Sequence, residues 1–180
     1  YKVMGLASYG EPIYKNIFDH LVRSGSSLDF SLGLKYFTHH RTGADMSWDT
    51  GEPKLSRLFS DDLEKALGPS RKSGAPIEKH HEDIASTLQW KLEESVFTLL
   101  NQLYQKTQIP RLVYAGGVAF NCVANGKIFD RTPFTDVYIQ PAAGDAGLAV
   151  GGALYVSHQI LRNTRTMTGM PHAYWGPEYT

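Results

Sequence analysis

Cysteine is almost missing. Cys122 is the only one in 180 residues, so no disulfide can form within the chain. A lone thiol of this kind is expected to be buried and to stay reduced in the cytoplasm. A charge excess is missing too: 18 basic residues match 18 acidic ones. No broad positive field exists to draw in a polyanion, and no nucleic-acid partner is expected. No apolar run reaches the ~18 residues that span a bilayer, so no membrane role is expected either. No secretory leader is read at the start. The motifs of several enzyme classes are also lacking. There is no Gly-x-Ser-x-Gly elbow, no Walker-type Gly-Lys-Ser/Thr, and no Cys-x-x-Cys or His-x-x-x-His zinc spacing.

What remains is ordinary globular composition, 42% hydrophobic and 20% charged. The length suggests one domain with a real core. The chain opens on Tyr1 and closes on a proline- and aromatic-rich stretch from Met170 to Thr180. It reads as a piece of a longer protein.

Periodicity predicts an α/β arrangement. Residues 1–12 read as a glycine-punctuated loop and 12–23 as a short helix, broken at Ser24-Gly-Ser-Ser27. Leu28, Phe30 and Leu32 alternate as a strand does, and Tyr36-Phe37 is expected to pair with it around Gly33. The strongest helix signal runs over 82–106. Ile84, Leu88, Leu92, Val96, Leu99 and Leu103 form one stripe, and Trp90, Phe97 and Tyr104 a second. Strands at 111–115 and 136–140 each run into a glycine turn, and helices are predicted at 118–129 and 145–161. A mixed sheet is expected, with the late strands parallel and the early ones antiparallel.

Two glycine turns at the ends of successive strands form the main candidate site. Such turns let backbone N–H groups approach a phosphate. Gly116-Gly117 makes the first turn and Gly144-Asp-Ala-Gly147 the second. Asp145 is either a helix cap or a carboxylate presented beside the pocket, where it binds a metal or orients a nucleophile. Asn121 and Asn125 share a helix face, which is either a polar surface or, at Asn121, a reach toward ligand. Lys2 and Tyr9 flank the first glycine loop, as surface residues or as holders of adenine and phosphate. The pairs His39-His40 and His80-His81 are assigned to structure or surface, because adjacent residues do not point one way.

Taken together, these residues suggest a family. Lys2-Val-Met-Gly-Leu-Ala-Ser-Tyr-Gly10 resembles the Lys-Val-Met-Gly-Leu-Ala-Pro-Tyr-Gly signature of the O-carbamoyltransferases of nodulation-factor and antibiotic biosynthesis. Ala115-Gly-Gly-Val-Ala-Phe-Asn-Cys-Val-Ala-Asn125 resembles their Ala-Gly-Gly-Val-Ala-Leu-Asn-Cys-x-x-Asn segment. Pro141-Ala-Ala-Gly-Asp-Ala-Gly147 matches a third signature, Asp83-Ile-Ala-Ser-Thr-Leu-Gln89 with Glu93 fits their long helix, and Tyr174-Trp-Gly-Pro-Glu178 resembles the edge before their next domain. The matches keep family order along nearly the whole chain. Ser8 stands where the family has proline and Phe120 where it has leucine.

The resemblance implies an α/β fold, the second half (subdomain) of an actin/sugar-kinase-like, ribonuclease-H-like nucleotide-binding domain of the Kae type. Residues 1–172 would form that subdomain. Residues 173–180 would begin the linker to a YrdC-like domain, which is expected to make carbamoyl adenylate from carbamoyl phosphate and ATP. The Kae-like part would pass the carbamoyl group to a hydroxyl of a sugar or antibiotic-type small molecule. Its iron, Fe2+, is held in the family by two histidines of the first half and an aspartate that Asp145 matches. Carried over residue by residue, the nucleotide site comprises Gly116, Gly117, Val118, Asn121, Gly144, Ala146 and Gly147, with Lys2 and Tyr9. The missing first half and the YrdC-like domain are the implied partners. A tRNA threonylcarbamoyl transferase, a small-molecule kinase and a non-catalytic nucleotide-binding module are the alternatives.

Overall fold

The structure, a computed structural model, describes residues 2–49, 51, 53–165 and 169–178. It divides into two compact units, Tyr1–Leu103 and Tyr104–Thr180, where the length suggested one domain. The division falls inside the longest helix, whose last turn belongs to the second unit. No helix among the described residues is long and apolar enough to cross a membrane.

The first unit opens on helix α1 (Lys2–Leu6) and a 3-10 turn over Ala7–Tyr9, not on the expected loop. Lys, Met and Leu favour helix, and Ser8 Oγ donates to Gly5 O at 2.9 Å. Helix α2 (Lys15–Leu21) runs directly into strand β1 (Val22–Ser24), which pairs antiparallel with β2 (Phe30–Leu32). The hairpin therefore turns at residues 25–29 rather than around Gly33. Gly25 N donates to Asp29 O at 2.9 Å and Ser27 N to the Asp29 carboxylate at 3.1 Å, so the residues read as a helix breaker form the turn itself. At Gly33, a Cβ would stand 2.1 Å from the His20 carbonyl oxygen, so this glycine serves a close approach. Leu34–Tyr36 is a 3-10 turn, not a strand. Short helix α3 (His39–Thr42), the two-residue pair β3 (Met46–Ser47) and β4 (Lys54–Leu55), and α4 (Asp61–Leu67) follow. Phe18, Leu21 and Tyr36 form the buried centre, with Leu63, Leu67 and Ile84 packed around it.

Helix α5 (Lys79–Thr107) lies where periodicity put it, but its buried face is different. The expected leucine stripe is only half-buried, and Leu88 is 43% exposed. From the second stripe Phe97 is buried as expected; the other line of buried side chains, at steps of four, is Asp83, Thr87 and Lys91. Each is satisfied by the segment laid across it. Asp83 accepts from Glu11 N at 2.8 Å, Thr87 Oγ1 from Tyr14 N at 3.3 Å, and Lys91 Nζ donates to Asp19 at 2.5 Å. Lys79 adds a bond to the Tyr9 carbonyl at 2.9 Å. Polar groups can be buried when they are bonded in this way, and a hydrophobicity pattern does not register them.

The second unit is built on the parallel pair β5 (Arg111–Tyr114) and β6 (Asp136–Ile139), in register from Arg111↔Asp136 to Tyr114↔Ile139. Among the described residues this pair is a two-stranded sheet of its own, not part of the mixed sheet expected with the early strands. The chain between them is not the single helix expected over 118–129. A 3-10 turn at Gly117–Phe120 leads to α6 (Cys122–Asn125) and α7 (Ile128–Arg131). Asn121 restarts the helix by accepting from Ala124 N at 3.0 Å, and Gly126 ends that short piece. Cys122, expected to be buried, is exposed on it. Leu112, Ala119, Ala124, Ile128 and Phe134 fill the core, with Tyr104 edge-on to Phe134 at 5.6 Å. After β6, a 3-10 turn at Asp145–Gly147 feeds α8 (Leu148–Tyr155), which runs into a π-helical turn at Val156–Ile160.

Candidate functional site

The two glycine turns meet. Gly116 N donates to Ala143 O at 2.8 Å, just past the ladder bond from Gln140 N to Tyr114 O at 3.1 Å. The parallel sheet thus ends in two turns tied backbone to backbone. Strand C-terminal ends of this kind are where α/β sheets place ligands.

The four glycines have different reasons to be glycine. Gly116 has φ of +102°, a conformation that L side chains rarely adopt. At Gly144 a Cβ would stand 2.8 Å from the Phe120 ring, and at Gly147 it would stand 2.2 Å from Ala142 O. The Ala142 contact is backbone and makes glycine a packing requirement at Gly147, whereas the exposed Phe120 ring can shift for a side chain at Gly144. Gly117 is not in the positive-φ region, and a Cβ built there meets no atom within 4 Å. Neither strain nor a neighbour demands glycine at that position.

An open concavity of about 980 Å³ lies against these turns, within the second unit. Gly116, Gly117, Gly144, Asp145 and Gly147 line one part of it. Tyr138 and Tyr155 supply aromatic wall, and Arg165 and His158 are ionisable groups on it besides Asp145. Tyr138 also fastens the C-terminal segment: its hydroxyl donates to Met170 O at 2.8 Å and accepts from Met170 N at 3.2 Å. That tie joins residues 32 apart, so no local sequence signal announces it. Burial pushes the Tyr114 hydroxyl above its ordinary range, so it remains protonated at neutral pH.

Asp145 is exposed and begins the 3-10 turn that Gly144 caps. Its carboxylate has no hydrogen bond or ion pair among the described residues, so the cap role is not taken up and the group stands free on the cavity wall. Val118, Asn121 and Ala146 are not on that wall. Asn121 is occupied as the cap of α6, and Asn125 donates to Ala119 O at 2.7 Å. Gly116 N–H is committed to Ala143. The following N–H groups, of Gly117 and Val118, open one 3-10 turn, and those of Asp145 and Ala146 open the other. First-turn N–H groups have no acceptor within their own helix. Lys2 and Tyr9 belong to the first unit. Lys2 lies on α1, and Tyr9, 70% exposed, gives its carbonyl to Lys79.

The family model described as carbamoyltransferase N-terminus matches residues 1–154. A Synechocystis protein designated sll1178 is 40% identical over the whole chain, which spans 28% of its length. The nodulation protein NolO of Bradyrhizobium diazoefficiens is 36% identical over 99% of the chain and 28% of its own length. The nodulation protein NolNO of Sinorhizobium fredii is 35% identical over 99% of the chain and 23% of its own. The chain therefore spans roughly a quarter of these curated relatives. With a model match over most of its length and the signature turns in place on one cavity, the chain belongs to the carbamoyltransferase N-terminus family.

Proposed function

We propose that the chain is the part of an O-carbamoyltransferase that holds the activated carbamoyl donor, within an actin/sugar-kinase-like domain. The donor proposed is carbamoyl adenylate, made from carbamoyl phosphate and ATP in another domain of the longer protein. The observation that carries the reading is Gly117. It is a glycine that the protein itself does not need, next to an unengaged carboxylate at Asp145, where two backbone turns meet. A side chain there would fill space that a phosphate needs. The family supports the reaction type.

In the transfer, the acceptor hydroxyl oxygen forms a bond to the carbamoyl carbon. The bond from that carbon to the phosphate oxygen breaks, and AMP leaves with the electron pair. The hydroxyl proton is released. The N–H groups of Gly117 and Asp145, which open the two 3-10 turns on the cavity wall, bind the phosphate and favour its developing charge. Asp145 orients the reacting groups from the cavity wall.

Iron is the metal implied by the resemblance. Among the described residues, no three-ligand group forms at Asp145. One carboxylate is a hard oxygen donor that does not select a transition metal. Asp145 and its surroundings in this chain do not by themselves fit iron, and no step here passes through it. In the longer protein, Asp145 is proposed to join ligands from elsewhere.

The test uses the longer protein and reads two steps in one preparation. Carbamoyl-phosphate-dependent ATP consumption reports donor formation, and acceptor carbamoylation reports transfer. Asp145→Ala should abolish transfer and leave the first step intact. Gly117→Val should weaken nucleotide binding by calorimetry about tenfold or more, the loss expected when a phosphate contact of about 1.4 kcal/mol or more is denied. Transfer at the wild-type rate in Asp145→Ala, or unchanged nucleotide affinity in Gly117→Val, refutes the assignment.

A further inference from the structure

Glu78, His80 and His81 gather at the start of α5, in the first unit. One donor atom from each lies within 4.8 Å of the others. His80 Nδ1 stands 3.5 Å from a Glu78 carboxylate oxygen. The two imidazole rings lie close together, with centroids 3.7 Å apart and planes tilted by 38°. Helix geometry alone separates adjacent side chains, so this convergence has a local cause. Glu78 sits one residue before the helix, and its backbone N–H donates to His81 Nδ1 at 3.0 Å, which holds the second ring beside the first. The other adjacent pair shows what happens without such a tie. His39 and His40 stand edge-on at 6.0 Å and gather no third ligand among the described residues.

We propose that Glu78, His80 and His81 bind a borderline divalent transition metal such as zinc, independently of the carbamoyl-donor site. Two imidazoles and a carboxylate make up the protein ligands, and water completes the shell, because Glu78 is exposed. Two ligands each about 2.1 Å from one ion span about 3.4 Å in tetrahedral geometry. The 3.5 Å between His80 and Glu78 already has that value. His81 completes the set by giving up the Glu78 N–H bond, so affinity is lower than at a closed structural zinc site. Imidazole donors exclude magnesium and calcium as the preferred ion. The intervening cation does not oppose binding at close range, since Lys79 turns its ammonium to Asp83 at 3.1 Å and to the Tyr9 carbonyl at 2.9 Å. A metal here would fasten the first turn of α5, from which Lys79 and Asp83 hold residues 9–11.

The experiment titrates zinc chloride into the chelator-stripped full-length protein and counts zinc bound per chain, with X-ray absorption to identify ligands. His80→Gln and His81→Gln should each remove one zinc equivalent and lower its affinity at least about tenfold. The lost signal should carry two imidazoles. Glu78→Gln should weaken the site by a smaller factor. His39→Gln should change nothing, and circular dichroism of each variant should match the wild type. Because metal sites elsewhere are present in every sample, the difference between variants isolates this one. If His80→Gln and His81→Gln keep the wild-type zinc stoichiometry and affinity, the proposal falls. It also falls if the lost equivalent shows no imidazole ligation, or if a histidine variant loses zinc only together with its helical signal while Glu78→Gln and a second variant, His81→Asn, bind normally.

Discussion

Replacing Gly10 by alanine should damage the first unit, although the backbone there is ordinary, with φ of −106° and ψ of 176°. The problem is space. A Cβ at residue 10 would lie 2.0 Å from the Glu82 carbonyl oxygen and 2.6 Å from Asp83 N. Both neighbours are helix backbone and cannot rotate away. Side-chain carbons essentially never approach within 3.0 Å, so the segment at Gly10 and α5 must separate by about 1 Å. The adjacent bond from Glu11 N to Asp83, now 2.8 Å, cannot survive that displacement. Overpacking of this kind costs about 1–3 kcal/mol. In a unit of this size each kcal/mol lowers the midpoint by roughly 4–8 °C. Gly5→Ala is the matched control. It lies within α1, its Cβ would meet nothing within 4 Å, and it should raise stability by up to about 1 kcal/mol through helix propensity. Thermal and urea unfolding followed by circular dichroism measure both. If Gly10→Ala unfolds within about 0.5 kcal/mol of wild type, the close packing of residues 9–11 on α5 is not as described.

Two further outcomes follow from the polar line on α5. The backbone N–H of Glu11, helped by Lys79, holds the Asp83 carboxyl below its ordinary range against the opposing effect of desolvation. A carboxyl lowered by folding contributes stability that is present above its unfolded value of about 3.9 and lost as pH falls through the folded value. Asp83→Asn should therefore flatten the acid side of the stability-against-pH curve measured by urea midpoints, and an unchanged acid limb would contradict the assignment. Removing the two halves of the Lys91–Asp19 pair should have unequal effects, because Lys91 is buried and Asp19 is half exposed. Asp19→Ala strands a buried ammonium and should cost roughly 1–3 kcal/mol. Lys91→Met leaves only a solvated carboxylate and should cost under about 1.5 kcal/mol; the reverse order would refute the argument.

The parallel pair and its two glycine turns were legible in the chain. Leu112-Val-Tyr114 and Val137-Tyr-Ile139 are apolar runs of strand length, and each is punctuated by glycine. The extent of α5 was legible for a similar reason, since a long repeat at steps of three and four needs no partner to be seen. Its buried face was not. Asp83, Thr87 and Lys91 count as polar in any pattern, and their burial depends on donors and an acceptor that lie 72 or 73 residues away. The early hairpin was misplaced because Gly33 looked like a turn and is a contact, while Gly25 looked like a break and is the turn. The histidine cluster escaped because spacing rules look for ligands one helical turn apart. Here a residue just before the helix supplies the third ligand.

Within the signature turns, one residue type serves ends that sequence cannot separate. Gly116 answers to its dihedral angle, and Gly144 and Gly147 answer to the Phe120 ring and the Ala142 carbonyl. Gly116 and Gly147 would be required whether or not a ligand ever bound, so glycine there is evidence for the fold alone. Gly117 lacks both constraints, and the neighbouring Asp145 carboxylate is engaged by nothing among the described residues. A position whose identity the protein does not explain must be explained by what the protein meets. The two residues at this site with no structural reason to be what they are stand on the same wall, at the joined ends of two parallel strands. That coincidence, more than the presence of a glycine-rich motif, is what supports the proposed donor site.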